Sequence, residues 1–236
     1  MAFGARAYPG LVPGPNVVKG RVTGFDQDGE KAKSAERVGK HMSYQLIEDM
    51  DGWEEDMDRL TISIPIVGCL FKKSYFSPSR GKNVSETVFP KNLIVNYWAK
   101  NLETAPRITH EVHLSDNEIQ ERISSEIFTD QEYTKIAIRE ETAKDEAHGV
   151  TRPVEDESTP NLFLEQHLWI DLDNDGYKEP YIVTTCGNKV ARIMAGYDLE
   201  TVIVNEDRVI KIDRINYFTK YGFVPSPDGS FYDVGF

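Results

Sequence analysis

Apolar positions change their period along this chain, and the changes mark out its elements. From about Lys31, Val38, Met42, Leu46 and Met50 step by four, the spacing of one face of an amphipathic helix. Gly52 weakens that helix near Asp51. A second helical pattern starts at once with Trp53, Met57, Leu60, Ile64 and Val67. Pro65 has no backbone N–H to donate, so it is expected to kink or end this helix near its last turn. The charged residues between these positions form the wet faces.

A strand period follows. Residues 69–76 and 84–89 read as two strands joined by the turn-rich run Ser77-Pro78-Ser79-Arg80-Gly81-Lys82-Asn83. Residues 93–98 read as a buried strand. In 107–114, Ile108, His110, Val112 and Leu114 alternate onto one face of another strand. Ser115-Asp116-Asn117-Glu118 is a capping box, so a helix is expected from Asp116 to about Ser125. A second strand block comprises 162–171, 180–186, 189–195 and 209–215, with turns at Cys186-Gly187-Asn188 and Gly196-Tyr197-Asp198.

The remaining stretches lack such periods. Residues 1–30 are rich in Gly and Pro and read as an extended arm, with a short strand at 17–22, that a partner surface covers. Residues 131–147 are polar and helix-tolerant, and 149–160, with two prolines and an acidic patch, read as a loop. Residues 221–236 are turn-rich and aromatic. No repeat of fixed period is present. Helices and strands in separate runs predict an α+β fold, not a doubly wound βαβ sheet. The expected organisation is an arm over 1–30 and an α+β region over 31–147, with two amphipathic helices and a mixed or antiparallel sheet carrying a capped helix. A linker over 148–160 and a second antiparallel, β-rich region over 161–236 follow.

Charge narrows the function classes. The 236 residues carry 27 Lys plus Arg against 39 Asp plus Glu, a net charge of -12. Phosphate affinity comes from basic side chains releasing counterions, so this balance argues against a non-specific DNA binder. Cys69 and Cys186 are the two cysteines, too few for a disulfide framework or a four-sulfur zinc site. No apolar run approaches the roughly 18 to 20 residues of a membrane span, and Met1 to Gly10 does not read as a secretory signal. A soluble protein made in the cytoplasm is expected.

Few motifs carry chemistry. Asp171-Leu172-Asp173-Asn174-Asp175-Gly176 places three carboxylates at alternate positions before a glycine, the opening of many calcium loops. An EF-hand needs a bidentate glutamate at its twelfth position, which is Ile182 here; Glu179 could supply an oxygen to a loop of another type. A hairpin turn explains the same residues, since Asn, Asp and Gly accept left-handed backbone, and this reading is preferred, with no metal required. In His110-Glu111-Val112-His113 the imidazoles are three apart in a strand and point to opposite faces, which does not fit the helical zinc motif. His41, His148 and His167 are isolated. No phosphate-binding glycine loop and no nucleophile elbow is present. The residues therefore give no catalytic or cofactor-binding constellation and favour a structural or assembly role over an enzyme. A calcium- or carbohydrate-binding β-rich module around Asp171, Asp173 and Asp175 is the alternative.

Several segments, in order, resemble the portal proteins of short-tailed bacteriophages. They are Phe3-Gly4-Ala5-Arg6-Ala7-Tyr8-Pro9 with Val17-Val18-Lys19-Gly20, Glu36 to Leu46 leading into Trp53 to Asp58, and Pro65-Ile66-Val67-Gly68-Cys69-Leu70-Phe71-Lys72-Lys73. Phe89-Pro90-Lys91-Asn92-Leu93-Ile94-Val95 with Arg107-Ile108-Thr109-His110 is the most portal-like run. Glu165-Gln166-His167, Asp171 to Gly176, Glu179 to Thr184 and Phe218 to Pro225 continue it. The resemblance implies a structural subunit of the dodecameric ring at one capsid vertex, the head–tail connector. Double-stranded DNA is packaged and ejected through that ring, and terminase, scaffold, coat and tail adaptor proteins dock on it. It implies a virion location after synthesis in the host bacterial cytoplasm, no membrane, no cofactor and no enzymatic activity. By length, residues 1–236 would cover mostly the wing of such a protein, with its stem helices beyond Phe236.

Overall fold

The computed structural model describes residues 2–78, 80–133, 159–205 and 208–236. The fold is α+β: among the described residues there are four α-helices and three antiparallel sheets. The chain divides into two compact units. One holds Met1–Lys91, Tyr97–Thr104 and Asn216–Phe236; the other holds Asn92–Asn96 and Ala105–Ile215. The β-rich stretch expected over 161–236 is thus shared, its last 21 residues belonging to the first unit.

In the first unit, helix α1 (Ala2–Leu11) replaces the extended arm expected at the N-terminus. Ala2, Ala5, Arg6 and Ala7 favour helix, and Pro9 falls in its last turn. Tyr8 and Val12 pack on Trp53 and Met57, while the Phe3 ring meets Phe223 edge-on at 5.2 Å. Tertiary packing overrides the Gly/Pro signal here. The strand expected at 17–22 is also absent.

Helix α2 (Glu30–Tyr44) continues as a π turn over Gln45–Asp49. Its expected apolar stripe is only half used. Leu46 and Met50 pack beside Trp53 and Met57, but Val38 and Met42 are 52% and 44% exposed. The face that α2 buries instead carries Gly39 and Ser43. Ser43 Oγ accepts the Val18 N–H at 3.0 Å, and a Cβ on Gly39 would lie 3.0 Å from the Val18 carbonyl oxygen. A Cβ on Gly20 would lie 2.4 Å from the Ala35 carbonyl oxygen. Small residues four apart at Ala35, Gly39 and Ser43 let the 18–20 backbone lie directly on the helix.

Helix α3 (Trp53–Val67) passes through Pro65 and stops within the same turn, at Gly68. Strands β1 (Cys69–Ser77), β2 (Lys82–Val88) and β10 (Phe218–Gly222) form a sheet in the order β10-β1-β2. Strand β10 begins just before the 221–236 stretch read as turn-rich and runs into it. Leu70 packs against Leu60 and Ile64 of α3, and its neighbour Phe71 points the other way, stacking on Phe231 at 5.7 Å. The sheet therefore lies between α3 and the C-terminal tail. Gly68 (φ 92°) is where that tail docks: a Cβ there would sit 2.3 Å from the Asp233 carbonyl oxygen. The Phe236 N–H caps the Pro65 carbonyl at 2.7 Å, satisfying one of the orphan acceptors of the helix end.

In the second unit, β3 (Leu93–Val95), β4 (Arg107–Leu114), β5 (Asn161–Ile170), β6 (Glu179–Cys186) and β7 (Lys189–Ala195) form one antiparallel sheet in chain order. Strand β3 is shorter than the 93–98 expected. Helix α4 (Asp116–Ser124) starts at the expected capping box, both of its reciprocal bonds being present. Ile119 of α4 and Phe128 pack on Leu114, Phe163, Cys186 and Ala191 of the sheet. Register shifts in β7 opposite Thr184 and Thr185, and the Ala191 carbonyl there accepts the Thr129 N–H at 2.9 Å. The last strand expected, 209–215, is shorter: β9 (Arg208–Lys211) pairs with β8 (Ile203–Asn205). The helix-tolerant run at 131–147 and the loop at 149–160 lie almost wholly outside the described residues.

Candidate functional site

The acidic motif sits at the tip of the β5–β6 hairpin. Its ends are fixed by the ladder, in which Ile170 faces Glu179. Asn174 (φ 61°) and Gly176 (φ 93°) take the left-handed backbone that the sequence anticipates at this turn. Asp171 Oδ2 accepts the Gly176 N–H at 3.0 Å, and Asp175 Oδ1 accepts the Tyr177 N–H at 2.7 Å. These bonds curl the loop so that one carboxylate oxygen each from Asp171, Asp173 and Asp175 lie within 4.8 Å of one another. Asp173 and Asp175 are exposed and Asp171 is half-buried. Glu179, at the start of β6, is buried. Burial first, then the negative charges of Asp173, Asp175 and Asp171, push its carboxyl above the usual range, partly offset by its own N–H.

The histidines do not converge on a zinc site. His110 is buried on the interior face of the second unit's sheet and His113 points to the exposed side, as their spacing predicts. His167 is not isolated: its Nε2 lies 2.8 Å from Glu165 Oε1 on the same strand face. In the ladder, Glu165 is the partner of both His110 and Thr184, so His110, Glu165 and His167 share the interior face. Two-residue spacing in 165–167 carries that signal; the pairing with β4 does not appear in the sequence. Among the described residues, Asp171, Asp173 and Asp175 form the one His/Cys/Asp/Glu group close enough to share an ion.

The other candidates serve structure. Cys69 and Cys186 are buried thiols, and burial is the main force raising both of their pKa values, which keeps them unreactive. In the basic loop, Lys82 Nζ pairs with the exposed Asp51 carboxylate at 2.7 Å. Sequence reasoning missed a polar anchor in the first unit. Lys72, whose side chain is 4% exposed, pairs with Asp56 of α3. Thr87 Oγ1 donates to the same Asp56 oxygen at 2.8 Å, so one carboxylate ties α3 to β1 and β2. Also unforeseen is an exposed aromatic pair, Tyr97 and Trp98, each 88% exposed and packed edge to face at 5.0 Å.

No protein-family model matches the chain, and a search of curated proteins finds no match. No helix of the described residues is long and apolar enough to cross a membrane.

Proposed function

We propose that this chain is part of a portal protein of the short-tailed phage type, a structural subunit of the dodecameric ring through which double-stranded DNA enters and leaves a capsid. The observation that carries the reading is the ordered series of portal-like segments from Phe3 to Pro225, which runs through both compact units. The surface supports it. Phe25, Ile66, Tyr97, Trp98 and Leu199 are large apolar side chains between 74% and 88% exposed. Such exposure suits a subunit that neighbouring copies or docking proteins complete. The net charge of -12 suits a conduit that must pass DNA without gripping its phosphates.

In this reading terminase, scaffold, coat and tail adaptor proteins are the partners, the virion vertex is the location, and the chain performs no catalysis. The second reading, a calcium- or carbohydrate-binding module, has the clustered carboxylates of 171–175 in its favour, and an ion there is compatible with a portal role. Electron microscopy of the complete gene product tests the proposal: rings with a central hole are expected. A product that stays monomeric at every salt concentration would overturn it. A terminase gene just upstream and a scaffold or coat gene just downstream are the expected neighbours.

A further inference from the structure

We propose that copies of this chain associate head to tail through two helices, the exposed face of α2 on one copy lying along the exposed face of α3 on the next. As the subunit contact of a ring it rests on the portal reading, while the two faces themselves are defined by the fold of the first unit.

Helix α2 leaves Val38 and Met42 exposed, and the exposed Lys31 stands seven residues before Val38. On α3, Ile62 and Ile66 are exposed, and the exposed Glu55 stands seven residues before Ile62. Residues seven and eleven apart lie on one side of a helix with 3.6 residues per turn. Each helix therefore carries a charge and then two apolar side chains at the same intervals: Lys31, Val38 and Met42 on α2, Glu55, Ile62 and Ile66 on α3. The opposite sides are already committed. Gly39 and Ser43 of α2 hold the 18–20 backbone, and Trp53, Met57, Leu60 and Ile64 of α3 are buried. Ile62 borders α1, where a Cβ on Gly4 would lie 3.2 Å from it, and is still 46% exposed.

Charge selects the occupant. Helix α2 sets Lys31, Lys33, Arg37 and Lys40 against Glu30 and Glu36, a net charge of +2. Both glutamates are taken, by Lys33 at 3.3 Å and Lys40 at 2.8 Å. Helix α3 sets Glu54, Glu55, Asp56 and Asp58 against Arg59, a net charge of -3. Asp56 answers Lys72, but Lys31, Arg37, Glu55 and Asp58 form no ion pair among the described residues. Laid side by side and parallel, the two stripes set Lys31 opposite Glu55, Val38 opposite Ile62 and Met42 opposite Ile66. A second α2 against α2, or a second α3 against α3, brings like charges together, which is costly at an interface. The two faces differ, so each copy offers one and receives on the other. Such a contact repeats from copy to copy and makes a ring where the rotation closes.

Sedimentation velocity of the 236-residue chain over a concentration and salt series tests this. Concentration-dependent association that weakens with salt is expected. Lys31→Glu and Glu55→Lys should each weaken it about tenfold, and the chain carrying both should recover most of that loss, because the exchanged charges again face each other. Val38→Lys blocks the α2 half and Ile66→Lys the α3 half. Each variant should melt like the parent and stay monomeric where the parent associates, and an equimolar mixture of the two should give dimers and nothing larger. A parent dissociation constant weaker than about 1 mM would overturn the proposal. So would loss in only one of the two blocked variants, a mixture that stays monomeric, or no recovery in the exchanged pair. Rings of the complete gene product that survive both blocking substitutions would overturn this contact and leave the portal reading standing. The predicted variant pattern, with no ring from the complete product, would support the contact and overturn the portal reading.

Discussion

Single side chains carry two separate electrostatic problems in this molecule, solved differently. Lys72 is buried beneath α3, where Asp56 faces it and Thr87 orients the same carboxylate. Removing one partner of a buried pair leaves the other charge uncompensated, so Asp56→Ala should cost about 3 kcal/mol in urea unfolding. Lys72→Met also leaves one charge behind, but Asp56 is 27% exposed and keeps the Thr87 hydroxyl, so the cost should be smaller, below about 1.5 kcal/mol. Equal losses for the two would show that the pair is not what fixes α3. Glu179 is the opposite case, a buried carboxylate whose pKa is raised in the folded state by burial first and then by the negative charges of Asp173, Asp175 and Asp171. The folded state then binds the proton more tightly than the unfolded one. Its contribution is favourable below the unfolded pKa, about 4.3, and is lost as pH rises through the higher folded value. Glu179→Gln should therefore raise the melting temperature at pH 7. The gain should shrink as pH falls toward about 4. A variant less stable than the parent at pH 7 would contradict this assignment.

Elements differ in how far local sequence reveals them. Helix α4 was legible because its signal is contained in four residues: Ser115 and Glu118 cap each other. Ser115→Ala should cost about 1 kcal/mol. The β4 face was legible because strand alternation is local, and Ile108, His110 and Leu114 are buried together. The acidic turn was legible from Asp171 to Gly176. The burial of Glu179 was not, because it depends on where β6 packs. Helix α1 was hidden by Pro9 and the glycines, since its stability comes from Trp53, Met57 and Phe223, remote in sequence. Strand β10 was hidden because its partner is β1, about 150 residues earlier. The orientation of α2 was misread for a definite reason. Hydrophobic spacing selects Val38 and Met42, but close backbone contact selects Ala35, Gly39 and Ser43. Two variants separate these alternatives. Val38→Lys should change the stability of the isolated chain by less than about 0.5 kcal/mol, as at other surface positions. Gly20→Ala, which drives a Cβ into the Ala35 carbonyl, should cost about 1 to 3 kcal/mol. The reverse order would place the apolar stripe inside.

At the scale of the whole molecule, acidity and exposed apolar surface occur together. The charge excess resists nucleic acid, while the exposed aromatic and aliphatic side chains suit protein partners. Lys82, one of the few candidates for phosphate contact, is engaged with Asp51. Fluorescence anisotropy with a short duplex should therefore find binding by the 236-residue chain no tighter than about 10⁻⁴ M at physiological salt, with a shallow salt slope. Micromolar binding with a steep slope would expose a basic face that the charge balance conceals. Such weak contact is compatible with a DNA conduit, because a conduit needs geometry, not affinity. That geometry is the central claim, and direct imaging of the assembled complete gene product tests it. The account predicts closed rings of twelve subunits around a central hole wide enough for duplex DNA. Monomers under all salt and concentration conditions, or closed assemblies without a central passage, would contradict it.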